Sequence, residues 1–146
     1  MAHAEENITI DRTVNVVFGF IADGMNNPLW RPSVAEIQRV AGRPLGVGAV
    51  YKQSLRGPGG RTIEGDYEIT ESIPNQLIKF QVIAGPARPT GTYQFEAAGN
   101  STRLTFTLDF EPKGLAKLMG PMIASSMRSE VATLSNLKAY LESQQT

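Results

Sequence analysis

Apolar and polar residues alternate over most of the chain with a period of two, the pattern of strands that bury one face of a sheet. Turn residues such as Gly99 and Asn100 separate the alternating stretches at short intervals, which predicts an antiparallel meander. The last strand has the strictest alternation and is expected to bury its apolar face, formed by Leu104, Phe106, Leu108 and Phe110, while Thr105 and Thr107 face outward. In all, the pattern predicts strands at 7–12, 34–40, 49–55, 62–71, 77–84, 90–97 and 101–111.

Two stretches follow the helical period instead. A short amphipathic helix is predicted over Val14–Ala22, with Thr13 as its N-cap. A long C-terminal helix is predicted over 115–144, and we expect Gly120 and Pro121 to break it, since proline cannot donate to the helical ladder. Between the first helix and the second strand, residues 26–32 contain two prolines and two asparagines, which allow at most one helical turn.

This order of elements predicts a single α+β domain over 1–146, a curved antiparallel sheet of about seven strands with one or two short helices after the first strand. The C-terminal helix is the large element available to cover the apolar face of the sheet. A strongly curved sheet cannot close tightly on a helix along its whole length. We therefore expect an internal cavity between them.

Composition and charge exclude several classes of function. The formal net charge is zero, which gives no general attraction to nucleic acid, and the chain contains no cysteine, which excludes thiol nucleophiles and thiolate zinc sites. No stretch is long and apolar enough to span a bilayer, and the first six residues do not resemble a signal peptide. We expect a cytoplasmic protein, a monomer or homodimer, with no cofactor, no nucleic acid partner and no membrane insertion.

Particular residues at particular places resemble a known superfamily, the START-like or Bet v 1-like (SRPBCC) proteins with the helix-grip fold. The resemblance is strongest to their small bacterial polyketide cyclase/dehydrase-like branch and covers essentially the whole chain. It rests on 17–23, on Asn26-Asn27-Pro28-Leu29-Trp30-Arg31-Pro32, on 44–51 and 102–105, and on Leu134, Leu137, Lys138, Leu141 and Glu142.

What the resemblance implies is a fold more than a function, because the superfamily includes lipid carriers, hormone receptors, aromatic cyclases and hydratases. Two hypotheses lead. The first is a protein that binds a small hydrophobic molecule, lipid-like or aromatic, in the internal cavity. The alternative is a polyketide cyclase or dehydratase acting on such a molecule. A protein-binding module is a weaker alternative.

Aromatic and methionine side chains are the candidates for the cavity wall. Trp30, the single tryptophan, is interpreted either as a wall for a ring-shaped ligand or, with about twice the weight, as a packing anchor. Tyrosines on apolar strand faces offer hydroxyls, and methionines offer adaptable packing. The predicted ligand-binding residues are Phe20, Trp30, Tyr67, Phe80, Tyr93, Met119, Met122 and Met127.

No catalytic set is visible in the sequence. His3, the single histidine, lies in a polar N-terminal stretch that we expect to be frayed, so neither a histidine metal site nor a Ser-His-Asp triad is predicted. Glu64, Asp66 and Glu68 alternate on the fourth strand, where a solvated polar face is favoured over a pair of catalytic acids.

Overall fold

The computed structural model describes residues 2–44, 46–85, 87–111 and 120–144. Its strands are β1 (Ala2–Ile10), β2 (Val34–Ala41), β3 (Val50–Arg56), β4 (Thr62–Glu64), β5 (Tyr67–Ile73), β6 (Leu77–Val82), β7 (Thr90–Ala98) and β8 (Ser101–Phe110). Its α-helices are α1 (Val14–Ala22), α2 (Gly120–Ala132) and α3 (Leu134–Ser143), and short 3₁₀ helices span Gly24–Leu29 and Pro58–Gly60. The predicted α+β helix-grip fold is confirmed.

All strand pairs of the sheet are antiparallel, in the order β1-β8-β7-β6-β5-β3-β2, with β4 added beside β3. β8 lies between β7 and β1, and its register runs from Ala2 opposite Phe110 to Ile10 opposite Thr102. Both C-terminal helices contact β1, and α2 also contacts β8. The helices therefore cover the side of the sheet where the first and last strands meet.

The predicted strand at 62–71 is wrong in one respect, because it breaks into β4 and β5 at Gly65 and Asp66. A Cβ at Gly65 would lie 2.7 Å from Cδ1 of Leu55 on β3, so a larger residue at this position would require the Leu55 side chain to shift. The Gly65 N–H donates to the carbonyl oxygen of Gln53 over 2.8 Å, and Asp66 Oδ1 accepts from the Gln53 N–H over 3.1 Å. Asp66 thus fastens the bend where the sheet curves.

The C-terminal helix is interrupted at Thr133, a position that the sequence pattern did not indicate. The Thr133 N–H and its hydroxyl both donate to the carbonyl oxygen of Glu130, which tightens the turn between α2 and α3. The predicted break at Gly120 and Pro121 borders residues 112–119, which lie outside the described residues, so the start of the predicted helix at 115 lies outside them too. The described part of α2, Gly120–Ala132, includes Pro121.

The core lies between the concave face of the sheet and the helices. On β8, Leu104, Phe106 and Leu108 are buried and Phe110 is partly buried, so the predicted face is confirmed. The largest fully buried side chains elsewhere include Tyr51, Ile10, Leu134 and Leu137.

The N-terminal stretch is not frayed, contrary to the expectation from its polarity. β1 starts at Ala2 and pairs with β8 along its whole length. Nδ1 of His3 lies 2.5 Å from Oδ1 of Asp109 on the facing strand. Polar residues suit an exposed sheet face as well as a loop, which is why their polarity alone misled the prediction.

Candidate functional site

An internal cavity lies where α1 and the segment after it meet the concave face of β5, β6 and β7. The sequence predicted it between the sheet and the C-terminal helix, but no residue of α2 or α3 as described lines it. It offers about 10 Å³ to the centre of a water-sized sphere, which is room for about one water molecule. The wall is apolar except for two tyrosines, one asparagine and one arginine. The lining residues are Ile21, Ala22, Asn27, Arg31, Tyr67, Ile69, Ile78, Phe80 and Tyr93.

Aromatic rings in contact with one another fill most of the interior around this cavity. The ring centroids of Tyr51 and Tyr67 lie 5.1 Å apart, those of Tyr67 and Phe80 5.3 Å, and those of Phe80 and Tyr93 5.8 Å. Tyr93 stacks on Phe106 at 4.4 Å. The chain of rings follows the strand order, because each ring comes from the inward face of its strand. The cavity is small because these rings pack against each other.

Asn27 provides the polar contact at the end of the cavity next to β3 and β5. It is 5% exposed and lies in the 3₁₀ helix Gly24–Leu29. Its Nδ2 donates to the hydroxyl oxygen of Tyr67 over 2.9 Å and to Oε1 of Gln53 over 3.2 Å. The Tyr67 hydroxyl accepts this bond, so its own proton remains able to donate to a group in the cavity.

Arg31 carries a positive charge into the apolar interior and is 8% exposed. Its Nε donates to Oε2 of Glu130 on α2 over 3.0 Å, and the hydroxyl of Ser33 donates to the other carboxylate oxygen. The carbonyl oxygen of Trp30 accepts from Nδ2 of Asn136 on α3 over 3.2 Å. Residues 30–33 are thereby fastened to both C-terminal helices.

The protonation states of the cavity groups follow from burial and from Arg31. Burial raises the pKa of Tyr93 to about 12, although the Arg31 charge acts in the opposite direction. Burial likewise raises the pKa of Tyr67. Burial is the largest single influence on Arg31 and lowers its pKa, but Glu130, Tyr93 and Tyr67 together outweigh burial, so the pKa of Arg31 lies above its ordinary value. At neutral pH both tyrosines are therefore neutral donors and Arg31 is a cation.

Gly24 lets the 3₁₀ helix approach the tyrosines. A Cβ at Gly24 would lie 2.2 Å from the Tyr67 hydroxyl oxygen and 2.9 Å from Cε1 of Tyr51. The Tyr51 hydroxyl is buried beside the Gly24 backbone, which acts on its pKa as a hydrogen-bond donor does, although burial dominates and raises that pKa. Within the described ranges, Nε1 of Trp30 is buried without a hydrogen-bond partner, which lowers stability.

Comparison with known proteins identifies the family. The family model for polyketide cyclase / dehydrase and lipid transport proteins matches residues 1–142. The chain belongs to this polyketide cyclase/dehydrase family. The resemblance seen in the sequence is thereby confirmed, and the family has a hydrophobic ligand-binding fold.

Proteins similar to this polyketide cyclase/dehydrase family member have low sequence identity to it. An uncharacterized 17.2 kDa protein from the melC2-rnhH intergenic region of Streptomyces lincolnensis is 26% identical over 80 residues, which are 54% of this chain and 53% of the relative. The match thus spans about half the length of that protein. A START superfamily protein from Mycobacterium smegmatis has a TM-score of 0.83 at 15% identity, covering 99% of this chain and 100% of the other. The di-domain ARO/CYC protein BexL from the BE-7585A biosynthetic pathway has a TM-score of 0.72 at 19% identity, covering 99% of this chain and 48% of BexL.

Of the eight predicted ligand-binding residues, three line the cavity of this family member: Tyr67, Phe80 and Tyr93. Trp30 is buried against Tyr93 and Phe106, with ring centroids 6.4 Å away in both cases, which fits the interpretation as a packing anchor. Met127 is buried on α2 outside the cavity wall.

The other three predicted residues do not line the described cavity. Phe20 turns to the opposite side of α1 and packs on Tyr140 of α3, with ring centroids 5.3 Å apart. Met122 is 52% exposed on α2 and is not among the residues that line the cavity. Met119 lies outside the described residues.

Sequence reasoning missed the two strongest polar groups of the cavity, Asn27 and Arg31. Both lie in a segment without periodicity, so alternation could not assign them an inward direction. The feature of the sequence that could have indicated these two residues is the close spacing of polar residues around Trp30, in a stretch that carries the family resemblance.

Two further observations bear on the kind of site. In the described ranges, no three side chains of His, Asp or Glu come close enough together to hold a metal ion. No helix in the same part of the chain is both long enough and apolar enough to cross a membrane.

Proposed function

We propose that the protein binds a small, mainly apolar molecule in the aromatic interior between the sheet and the helices. The observation that carries this proposal is the convergence of Asn27, Arg31, Tyr67 and Tyr93 on one cavity whose remaining wall is apolar. An apolar wall with a few polar groups that fix orientation is the usual composition of a ligand site. The family description, which includes lipid transport, supports the same function.

The ligand-free cavity has room for about one water molecule, so a ligand with a ring enters only if side chains move. Phe80 and Tyr93 contact each other at 5.8 Å between centroids and have ring neighbours on both sides. A change of rotamer at either ring would join the cavity to the space the ring leaves. The proposal therefore includes rearrangement of these rings on binding.

Fluorescence of Trp30 provides the test, because the chain contains one tryptophan and its ring lies 6.4 Å from Tyr93. Titration with a panel of fatty acids, flavonoids and small aromatic compounds should give a saturable change for at least one class. Ala22→Leu, which fills the cavity wall, should abolish that change. The matched control is Ala139→Leu on the exposed face of α3, which should leave it intact.

A cyclase or dehydratase activity is the second candidate, favoured by the donors that face the cavity. Arg31, Tyr67 and Tyr93 could together polarise a carbonyl oxygen and stabilise negative charge that develops on it. Incubation with a soluble 1,5-diketone, followed by NMR, would detect the six-membered ring formed by intramolecular aldol addition and the enone formed when that adduct loses water. Binding without product would leave the carrier function as the proposal.

If no compound saturates, and Ala22→Leu and Ala139→Leu behave alike, the interior does not open and both proposals fail. The protein-binding module would then lead. We also propose, as the sequence predicted, that the protein lies in the cytoplasm and is a monomer or homodimer. Cell fractionation tests the compartment and light scattering the oligomeric state.

A further inference from the structure

The donors around the cavity are complementary to a single oxygen acceptor. Nε of Arg31 donates to the carboxylate of Glu130. Neither Nη group of the same side chain forms a hydrogen bond with another described residue. The Tyr67 hydroxyl accepts from Asn27, which leaves its proton free to donate. Tyr93 adds a second phenol in the same wall. A ligand oxygen with two lone pairs would satisfy such a set of donors.

The charge of that oxygen follows from the Arg31–Glu130 ion pair. Arg31 and Glu130 are 9% and 19% exposed at their side chains, and their charges cancel. Both tyrosines are neutral at neutral pH, since their pKa values are raised. A carboxylate in the cavity would therefore be a buried negative charge without a cation of its own, which is strongly unfavourable.

We infer that the cavity selects a ligand with a neutral carbonyl oxygen over the matching carboxylate, and that Glu130 sets this preference by balancing the charge of Arg31. The inference rests on the proposed binding function and specifies its ligand class. A ketone oxygen accepts from the Arg31 Nη groups and a tyrosine hydroxyl without adding charge. Fatty acids and aromatic acids are excluded by the same balance.

Three ligands of nearly equal size separate the effects of shape, hydrogen bonding and charge. Acetophenone presents a ketone, benzoate a carboxylate and isopropylbenzene only carbon and hydrogen. Chemical-shift titration of the full chain at neutral pH should give the order acetophenone, then isopropylbenzene, then benzoate. We expect acetophenone to bind about fivefold more tightly than isopropylbenzene, as one or two net hydrogen bonds provide.

Variants assign the preference to named groups. Glu130→Gln keeps a hydrogen-bonding side chain beside Arg31 and Ser33 but removes the negative charge, so benzoate should gain at least about tenfold relative to acetophenone. Tyr93→Phe should weaken acetophenone about fivefold and leave isopropylbenzene unchanged. Tyr140→Phe, outside the cavity, is the matched control and should change neither ligand. Circular dichroism verifies that each variant is folded.

The possible results are distinct. If isopropylbenzene binds as well as acetophenone and Tyr93→Phe changes neither, the carbonyl inference is wrong while the binding function stands. If benzoate binds best in the unmodified protein, Glu130 does not set the preference. If none of the three ligands shifts any resonance of a cavity residue, the inference is overturned, and the Trp30 titration with the wider panel decides separately whether the proposed binding function stands.

Discussion

The ring of Phe80 lies directly over Gly91 on the neighbouring strand, so closely that a Cβ at Gly91 would be 2.0 Å from the ring's Cζ. The two residues are opposite each other in the β6–β7 pair. Phe80 lines the cavity, so the absence of a side chain at position 91 allows the Phe80 ring to take its position in the cavity wall.

Gly91→Ala should lower the free energy of unfolding by roughly 1–3 kcal/mol, because the Phe80 ring has to move within a packed interior. Gly19→Ala is the control, since a Cβ at Gly19 in α1 meets nothing within 4 Å. The control should raise the free energy of unfolding by about 0.5–1 kcal/mol through its better helix propensity. Urea denaturation measures both, and equal effects would contradict the close approach.

Two stacked tyrosines should respond differently to loss of the hydroxyl group. Tyr67→Phe removes the acceptor of the Asn27 hydrogen bond and should lower the free energy of unfolding by about 1 kcal/mol. The Tyr51 hydroxyl is buried against the Gly24 backbone and has no side-chain partner among the described residues, so Tyr51→Phe should change stability by no more than about 0.5 kcal/mol. Thermal unfolding of both variants provides the measurement. A clear loss for Tyr51→Phe would indicate a hydrogen bond at that hydroxyl.

Phe106→Ala should be among the most damaging single changes, lowering the free energy of unfolding by roughly 3–5 kcal/mol. Phe106 has no exposed surface and contacts both Tyr93 and Trp30. Thr105→Ala, on the other face of β8, should stay within about 0.5 kcal/mol. Chemical denaturation compares the pair, and a loss under about 1 kcal/mol for Phe106→Ala would mean that the ring contributes little to the core.

The strand pair β1–β8 should be more stable in acid than in base. The hydrogen bond to Asp109 raises the pKa of His3 above its ordinary value of 6.5. A group whose pKa is raised on folding stabilises the protein fully below its unfolded pKa and loses that contribution as the pH rises through the folded pKa. The destabilisation caused by His3→Gln should therefore be greatest below about pH 6 and vanish in mild base. The measurement is the melting temperature of the unmodified protein, His3→Gln and Asp109→Asn across this pH range. A difference between the unmodified protein and His3→Gln that widens as the pH rises would contradict the prediction.

The elements that depend on local pattern could be predicted from the sequence. α1 has the predicted bounds, and the strict alternation on β8 correctly assigned its buried face. The break at Gly65 could not be predicted from local pattern, because the contacts that hold it are hydrogen bonds to Gln53 on the neighbouring strand. The interruption at Thr133 lies within a continuous apolar stripe and is visible only in the hydrogen bonds to Glu130.

The candidate site was predictable to the extent that regular strands form it. Tyr67, Phe80 and Tyr93 face inward because their strand neighbours alternate, and periodicity assigned them correctly. Arg31 could not be found in this way, since its burial depends on Glu130, 99 positions further along the chain. An arginine in an irregular segment is ordinarily exposed, and only a tertiary partner makes its burial favourable.

The pairing of β1 with β8 has a consequence for how the protein is made. β1 is complete at Ile10, but its partner strand begins only at Ser101, after all other strands have been synthesised. Contacts so distant in sequence slow folding, because a long loop must close before they form. A nascent chain therefore carries β1 unpaired until β8 has been synthesised, with Glu5 and Glu6 exposed at its centre, and charges of this kind discourage pairing with other chains. Ribosomal stalling between β7 and β8 would leave a nearly complete sheet without its first strand in place, and hence a substrate for chaperones.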